Sequence, residues 1–451
     1  MRVVAVVLLA LAASAPAQTV VDPNLKVQTW ARGLNQPTGV AFVDSAGTAL
    51  VLEKATGKVQ VVANRKIVGT ALDLPVANDS EHGLLGIALA PDFGVASSFV
   101  YLSYSASTVD GGTAFDNRVE RYRWNGSKLL FDKKILVRPA TPGPNHNAGK
   151  IAFGPDNKLY VTSGDLNRNE RTENFENSKT LTATASILRV NPNGTSVPAN
   201  PFYTGKSRPL DDIYAYGIRN SFGIAFDPVT GGLWDSENGP TSYDEINRIT
   251  PGFNSGWEDI MGPVSRNGGT TGKLVSLGAA AHYEDPKLSW KTPVAPTDTY
   301  FMETTRLGHQ YKDDLFVGTV LDGGVIFDLN LTHTRKALSL GGPLADGVAD
   351  NATGSLLAEQ SSIVFGNGFG TVTDITAGPG GLYVLSLTDG AMFRITTDGP
   401  TPMSVSAVPE PAGLSLVVFA IVLTRTKSRA TFIVSAGAKF VNRPLRHRFL
   451  V

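Results

Sequence analysis

Among the 451 residues, six histidines and a set of well-spaced carboxylates are the groups able to move protons near neutral pH. His146 stands out because Asp165 follows it across a segment that reads as two short strands. Residues 150–153 and 158–162 are apolar enough for strands, and Gly154, Pro155, Asp156 and Asn157 between them suit a tight reversal. Such a hairpin returns Asp165 to the end where His146 enters, which makes an imidazole base with an orienting carboxylate. A second block begins at Tyr214 and carries Arg219 and Asn220, then Glu237, Asn238, Gly239 and Pro240, then Asp244 and Glu245. Arg219 is a fixed fork for carboxylate or quinone oxygens, or else a bridge between structural units through Asp244 or Glu245. The Gly239-Pro240 turn frees backbone carbonyls from strand pairing, and with the acids nearby that suits a hard cation such as calcium.

The elements that must position these groups read as β-structure. A small-apolar strand, a Pro/Asp/Gly turn and a second apolar strand recur at residues 39–53, 86–104, 151–162, 223–236, 300–318 and 374–385. Most copies are followed by a third strand-like run, as at 118–124, 186–190, 245–249, 324–329 and 391–395. Six such units predict an all-β fold, a six-bladed β-propeller with four-stranded antiparallel blades over residues 25–397. One blade cannot bury both its faces, whereas a closed ring of them can. A pair of β-sandwich domains is the alternative. His146 then sits at the entry to an innermost strand, where loops gather at one mouth of the central channel.

Composition limits the rest. Forty basic residues balance forty acidic ones, so no charged surface points to nucleic acid. The 47 glycines and 27 prolines suit a turn-rich chain. With no cysteine, disulfides and thiolate metal sites are excluded and any metal is held by oxygen or imidazole. Arg2, an apolar run over residues 3–13 and Ala15-Pro16-Ala17 predict a secretory signal peptide over residues 1–17, hence export to the periplasm, cell envelope or exterior. At the other end a linker (398–407) precedes Pro409-Glu410-Pro411, an apolar run and the basic Arg425, Lys427 and Arg429. The segment 408–429 resembles the PEP-CTERM sorting signal of exported bacterial proteins, which implies envelope or exopolysaccharide association. The tail 430–451 departs from that pattern.

Three long motifs carry a second resemblance. HGLLGIALAPDF at residues 82–93 is similar to the GLLGLAFHPDF motif of the glucose/sorbosone dehydrogenase family. Residues 145–165 resemble that family's catalytic hairpin, and residues 214–257 resemble its YGHRNPQGLAFDP…SENGP…DEIN…GGNYGW block. The match runs in order from about residue 34 to residue 395 and implies a six-bladed propeller. It further implies a quinoprotein oxidoreductase that oxidises an aldose or related sugar with pyrroloquinoline quinone (PQQ) and calcium. By that resemblance His146 is the general base, Asp165 orients it, and Arg219 lies against the quinone carbonyls with Asn220 and Asn238 beside the cofactor. The carbonyls of Gly239 and Pro240 hold calcium, and Glu81 and Asn145 are placed at the substrate. The electron acceptor is left open. Where the family's best-studied branch uses one Lys and two Arg to grip the quinone's carboxylates, this chain has Asp322, Thr371 and Thr373, with Arg306 and Lys312 as nearby cations. That departure keeps two further readings in view, a non-catalytic propeller binding carbohydrate or protein and a calcium-dependent lactonase-like hydrolase.

Overall fold

The computed structural model describes residues 17–206, 208–350 and 358–397. Most of the predicted signal peptide, and all of the linker, the sorting-signal segment and the tail, lie outside the described residues. The strands form six separate sheets. Their innermost strands are Pro37–Phe42, Leu84–Leu89, Ile151–Phe153, Ser221–Phe226, Pro296–Phe301 and Val372–Gly378. Each touches the next and the sixth touches the first, so the six line one channel. This is a six-bladed β-propeller.

The ring is closed by strand exchange. Leu25–Arg32, from the start of the chain, is the outermost strand of the last blade and pairs antiparallel with Ala391–Thr397. Three blades carry more than the predicted four strands. Phe253–Asn254 and His282–Tyr283 extend the third, Val348–Ala349 the fourth and Thr19–Val20 the fifth. The fifth innermost strand also begins earlier than the pattern at 300–303 indicates. Pro296 has no N–H to lose at a strand start, and the chain leaves the ladder at Met302, whose N–H bonds to the Asp314 carbonyl.

Alternation along each strand builds the core. In Ala49–Glu53 every residue is buried. Leu50 and Leu52 pack against the second blade, with Leu84, Val100 and Leu102, while Ala49 and Val51 pack against the sixth, with Tyr383 and Leu385. Leu159 and Val161 likewise face the second blade and Tyr160 the fourth. Six apolar clusters thus lie one between each pair of successive blades, so the inner strands are covered on both faces, while outermost strands such as Lys66–Asp73 remain exposed.

Candidate active site

The hairpin that begins the third blade forms as its sequence predicts. Ile151–Phe153 pairs with Leu159–Ser163, and the reversal is closed by the Asn157 N–H on the Gly154 carbonyl (2.9 Å). Asn157 takes the left-handed conformation (φ 58°) that the turn requires and Asn tolerates. Before the hairpin, His146 and Ala148 are also left-handed, so residues 145–149 form a bent arm over the channel mouth. The arm lies close to its neighbours: a Cβ at Gly164 would come within 2.1 Å of the His146 carbonyl, and one at Gly86 within 2.4 Å of the Gly149 carbonyl. Both the GLLG motif and the SGD at the hairpin's end therefore need glycine for this approach. From below, Lys150 spans the channel to Asp298 (2.6 Å) and Asp374 (3.6 Å), on the innermost strands of the fifth and sixth blades. Although burial works against its charge, those two carboxylates hold the ammonium above its ordinary pKa.

His146 and Asp165 meet as predicted: Nδ1 lies 2.6 Å from Asp165 Oδ1. Arg219 NH2 lies 2.7 Å from Nε2 of the same imidazole. A guanidinium has only hydrogens to offer, so Nε2 is the acceptor and the proton sits on Nδ1, donated to Asp165. Asp165 is buried and saturated, taking the Asn167 N–H on Oδ1 (2.8 Å) and the Trp257 indole N–H on Oδ2 (2.7 Å). The carboxylate therefore fixes both the ring's orientation and its tautomer.

Arg219 bonds neither Asp244 nor Glu245, the bridge that its sequence context left open. It donates from NH1 to the Asn238 carbonyl (2.9 Å) and lies over the Trp257 ring at 5.3 Å. Its Nε is buried without a partner among the described residues. Burial pulls the guanidinium below its ordinary pKa against the opposing charges of Asp165 and Glu237. The Arg219 backbone N–H goes to Glu237 Oε1 (2.6 Å), and the Asp165 N–H goes to the Arg219 carbonyl (2.9 Å), which ties the two motif blocks together. Glu237 is pushed well up by burial and then by Glu245.

Glu81 has a different placement from the substrate contact its motif position implies. Its carboxylate accepts the Asn147 N–H (3.0 Å) and the Asn220 side-chain amide (3.1 Å), so it braces the catalytic arm against the fourth blade. Asn145 is exposed at the tip of the arm and accepts a hydrogen bond from Ser80 Oγ. Asn238 donates its side-chain amide to the Pro296 carbonyl (2.7 Å).

The residues present fit calcium. In the turn after Leu233–Glu237, no donor reaches the carbonyl of Gly239 or of Pro240 among the described residues. Asp244 braces the turn from beneath, taking the N–H of Gly239 on Oδ1 (2.8 Å) and those of Val294 and Ala295 on Oδ2 (2.7 Å each). Burial pushes its carboxyl up to about 6. Two free carbonyls held by a rigid turn are hard oxygen donors of the kind calcium takes.

The fit to the quinone is good at one end only. There Arg219, with its orphan Nε, is the donor for a quinone carbonyl, while His146 offers Nε2 as an acceptor and the Asn220 and Asn238 amides are held by Glu81 and the Pro296 carbonyl. Asp322 is an exposed acid in a left-handed turn (φ 46°), and the Thr373 hydroxyl is used on the Pro37 carbonyl (2.7 Å). Thr371, too, brings no charge. Arg306 and Lys312 do not substitute. Arg306 bonds to the carbonyl of Gly378, the last residue of its innermost strand, and Lys312 pairs with Asp313 just before Leu315, the partner of Phe301. Both stand at the opposite mouth of the channel. Lys54 is at the correct mouth but donates to the Asn78 carbonyl (3.3 Å), and burial lowers its pKa against Asp79 and Glu81.

Trp257 is the site residue that residue chemistry alone does not reveal. It lies 92 positions from the aspartate it bonds, and the only sequence signal for it is its place at the end of the third motif.

Comparison with known proteins gives the same picture. The glucose/sorbosone dehydrogenase family model matches residues 34–394. The chain is 33% identical to quinoprotein glucose dehydrogenase B of Acinetobacter calcoaceticus over 62% of its own length and 72% of the relative's. It is 27% identical to the aldose sugar dehydrogenase YliI of Escherichia coli, over 68% and 74% of the two chains. Among solved structures, the PQQ-bound aldose sugar dehydrogenase of Streptomyces coelicolor superposes with a TM-score of 0.60 at 25% identity, covering 82% of this chain and 98% of that one.

Proposed function

This chain belongs to the glucose/sorbosone dehydrogenase family, a family of oxidoreductases acting on sugars, and from that premise we propose that it is an exported quinoprotein that oxidises an aldose with PQQ and calcium. The observation that carries the reading is the chain of contacts from Asp165 through His146 to Arg219 at one mouth of the propeller. His146 Nε2 is the proton acceptor for the sugar hydroxyl, because Asp165 holds the other ring proton in place and supports the positive charge that forms. Arg219 turns its NH2 from Nε2 to the oxygen where negative charge develops, which frees the base and stabilises the transition state in one movement. Asn220 and Asn238 orient the cofactor's edge, and the Gly239 and Pro240 carbonyls hold calcium. When bound, PQQ supplies the two-electron acceptor for the hydride that leaves the sugar carbon. Glu81 keeps the arm and the fourth blade at a fixed separation, so that base and guanidinium face one ligand.

Export rests on the charged, apolar and small-residue order of the first 17 residues, and envelope association on the segment 408–429. The missing positive charge at Asp322, Thr371 and Thr373 supports a second reading, a propeller that binds carbohydrate without oxidising it. One experiment separates them. Purified protein is mixed with PQQ and calcium, quinone binding is followed by fluorescence quenching, and dye reduction is followed with a panel of aldoses. Saturable quinone binding and sugar-dependent dye reduction support the dehydrogenase. No quinone bound at micromolar concentration overturns it in favour of the non-catalytic reading.

A further inference from the structure

A cavity of about 430 Å³ opens on the fifth blade, away from the catalytic mouth. Its place follows from strand direction. Pro296 begins the innermost strand at the catalytic end, where its carbonyl takes the Asn238 amide, and Phe301 ends that strand opposite Leu315, which in turn pairs with Leu329. Asp328, beside Leu329, therefore lies toward the far end of the blade, and it lines the cavity.

The lining divides into two kinds. One wall is apolar, built from Leu340, Pro343, Leu344, Ile363, Val364 and Phe365. The other presents Asp22, Asp328, Asn330 and the Tyr311 phenol, and among the described residues no lysine or arginine lines the cavity. Asp22 is held below the usual carboxylate range by the Asn24 backbone N–H and, more weakly, by the Tyr311 hydroxyl (3.0 Å), so it carries a negative charge at neutral pH. Asp328 is different: its Oδ1 is buried with no hydrogen-bond partner among the described residues. Burial, and then the charge of Asp314, push its carboxyl up to about 8. Nearby groups do not relieve it. With its oxygen and nitrogen assigned to suit their neighbours, the Asn330 amide donates to both oxygens of Asp314 (3.1 and 3.2 Å), Arg335 is spent on Asp227 (2.7 Å), and Lys312 is paired with Asp313.

We propose that this cavity binds a small organic cation, with its ammonium at Asp328 and its apolar body along the wall of Ile363, Val364 and Phe365. A half-buried carboxyl with one unpartnered oxygen, repelled by a second acid, gains most from a positively charged donor. Anions are opposed by Asp22 and Asp328. A metal ion is poorly served, since no three acidic or imidazole groups converge as ligands among the described residues and half the lining is apolar. A neutral sugar would meet the polar wall but leave both acids without a counter-charge.

Calorimetry on the full chain tests this with n-butylammonium chloride as the probe and n-butanol as the neutral comparator. The expected result is saturable butylammonium binding, no butanol heat, and proton release near pH 7 that shows as a buffer-dependent enthalpy while Asp328 ionises. Asp328→Asn should weaken binding by roughly tenfold or more. If that variant does not fold, Leu340→Lys decides, since its own ammonium would fill the cavity and abolish the probe's binding. Butanol binding as tightly as the cation, or no butylammonium binding, overturns the proposal. So does undiminished butylammonium binding in whichever variant folds.

Discussion

Arg219 NH2 and His146 Nε2 are 2.7 Å apart, and that bond occupies the lone pair which the imidazole needs for catalysis. The base is thus capped until the guanidinium finds another oxygen. In cofactor-free protein, carbethoxylation of His146 should therefore be slow, and Arg219→Gln should speed it at least several-fold. Mass spectrometry of the peptide holding residue 146 reads the rate. Equal rates in both proteins would mean that the contact does not shield the nitrogen.

His146→Gln should lower kcat by about two to four orders of magnitude while leaving quinone binding within a few-fold of the parent, as expected for loss of a general base. Asp165→Asn should fall in the same range, because an amide there can present its hydrogen to Nδ1 and reverse the tautomer. Trp257→Phe removes one of the three hydrogen bonds to Asp165 and should cost much less, about 1 kcal/mol or several-fold in kcat. Steady-state kinetics with saturating PQQ and calcium orders the three, and a His146→Gln enzyme of parental kcat would remove the imidazole from the mechanism.

The hairpin was legible because its instructions are local. Gly154, Pro155, Asp156 and Asn157 set the reversal, and the reversal alone brings Asp165 to His146. The blades were legible for a similar reason, since the unit of apolar strand, turn and apolar strand recurs along the chain and continuous apolar runs such as residues 49–52 mark two buried faces. Side-chain allegiance was not. Glu81 reads as a substrate contact in its motif, but its carboxylate is consumed by Asn147 and Asn220, partners 66 and 139 residues away. Arg306 and Lys312 read as cations near the cofactor, and only the strand direction of the fifth and sixth blades shows that they face the other mouth.

Calcium affinity should depend on Asp244, although that residue is not itself placed on the ion. Its two oxygens hold the N–H groups of Gly239, Val294 and Ala295, and through them the orientation of the Gly239 and Pro240 carbonyls. Asp244→Ala should weaken calcium by about 10–100-fold, the usual cost of losing a group that orients metal ligands. Calorimetric titration of chelator-treated protein measures it, and an unchanged affinity would place the ion elsewhere.

Charge at the far end of the quinone site can be restored. Asp322 is exposed at the catalytic mouth, in the turn where Gly323 and Gly370 are joined by a backbone hydrogen bond. Asp322→Lys replaces a repulsive charge by an attractive one. A charge-assisted contact of roughly 1.5–3 kcal/mol would tighten PQQ about 10–100-fold. Fluorescence quenching at low salt gives the affinity, and the gain should shrink as salt rises. No gain at low salt would show that the quinone's carboxylates do not approach this turn.

Stability should fall as pH rises through neutrality, with Glu173 contributing in a separable way. Burial, and then the charge of Asp165, push its carboxyl up to about 8 from an ordinary value near 4.5. Between those two values the folded protein keeps a proton that the unfolded chain has released. The contribution is therefore complete below the unfolded value and is lost as pH rises through the folded one. One such group changes stability by at most about 1.4 kcal/mol per pH unit within that window. Glu173→Gln keeps the shape, removes the titration and should flatten the dependence between pH 5 and 8. Urea denaturation at pH 5.0, 6.5 and 8.0 compares the two proteins, and parallel pH dependences would show that Glu173 ionises as freely in the fold as in the open chain.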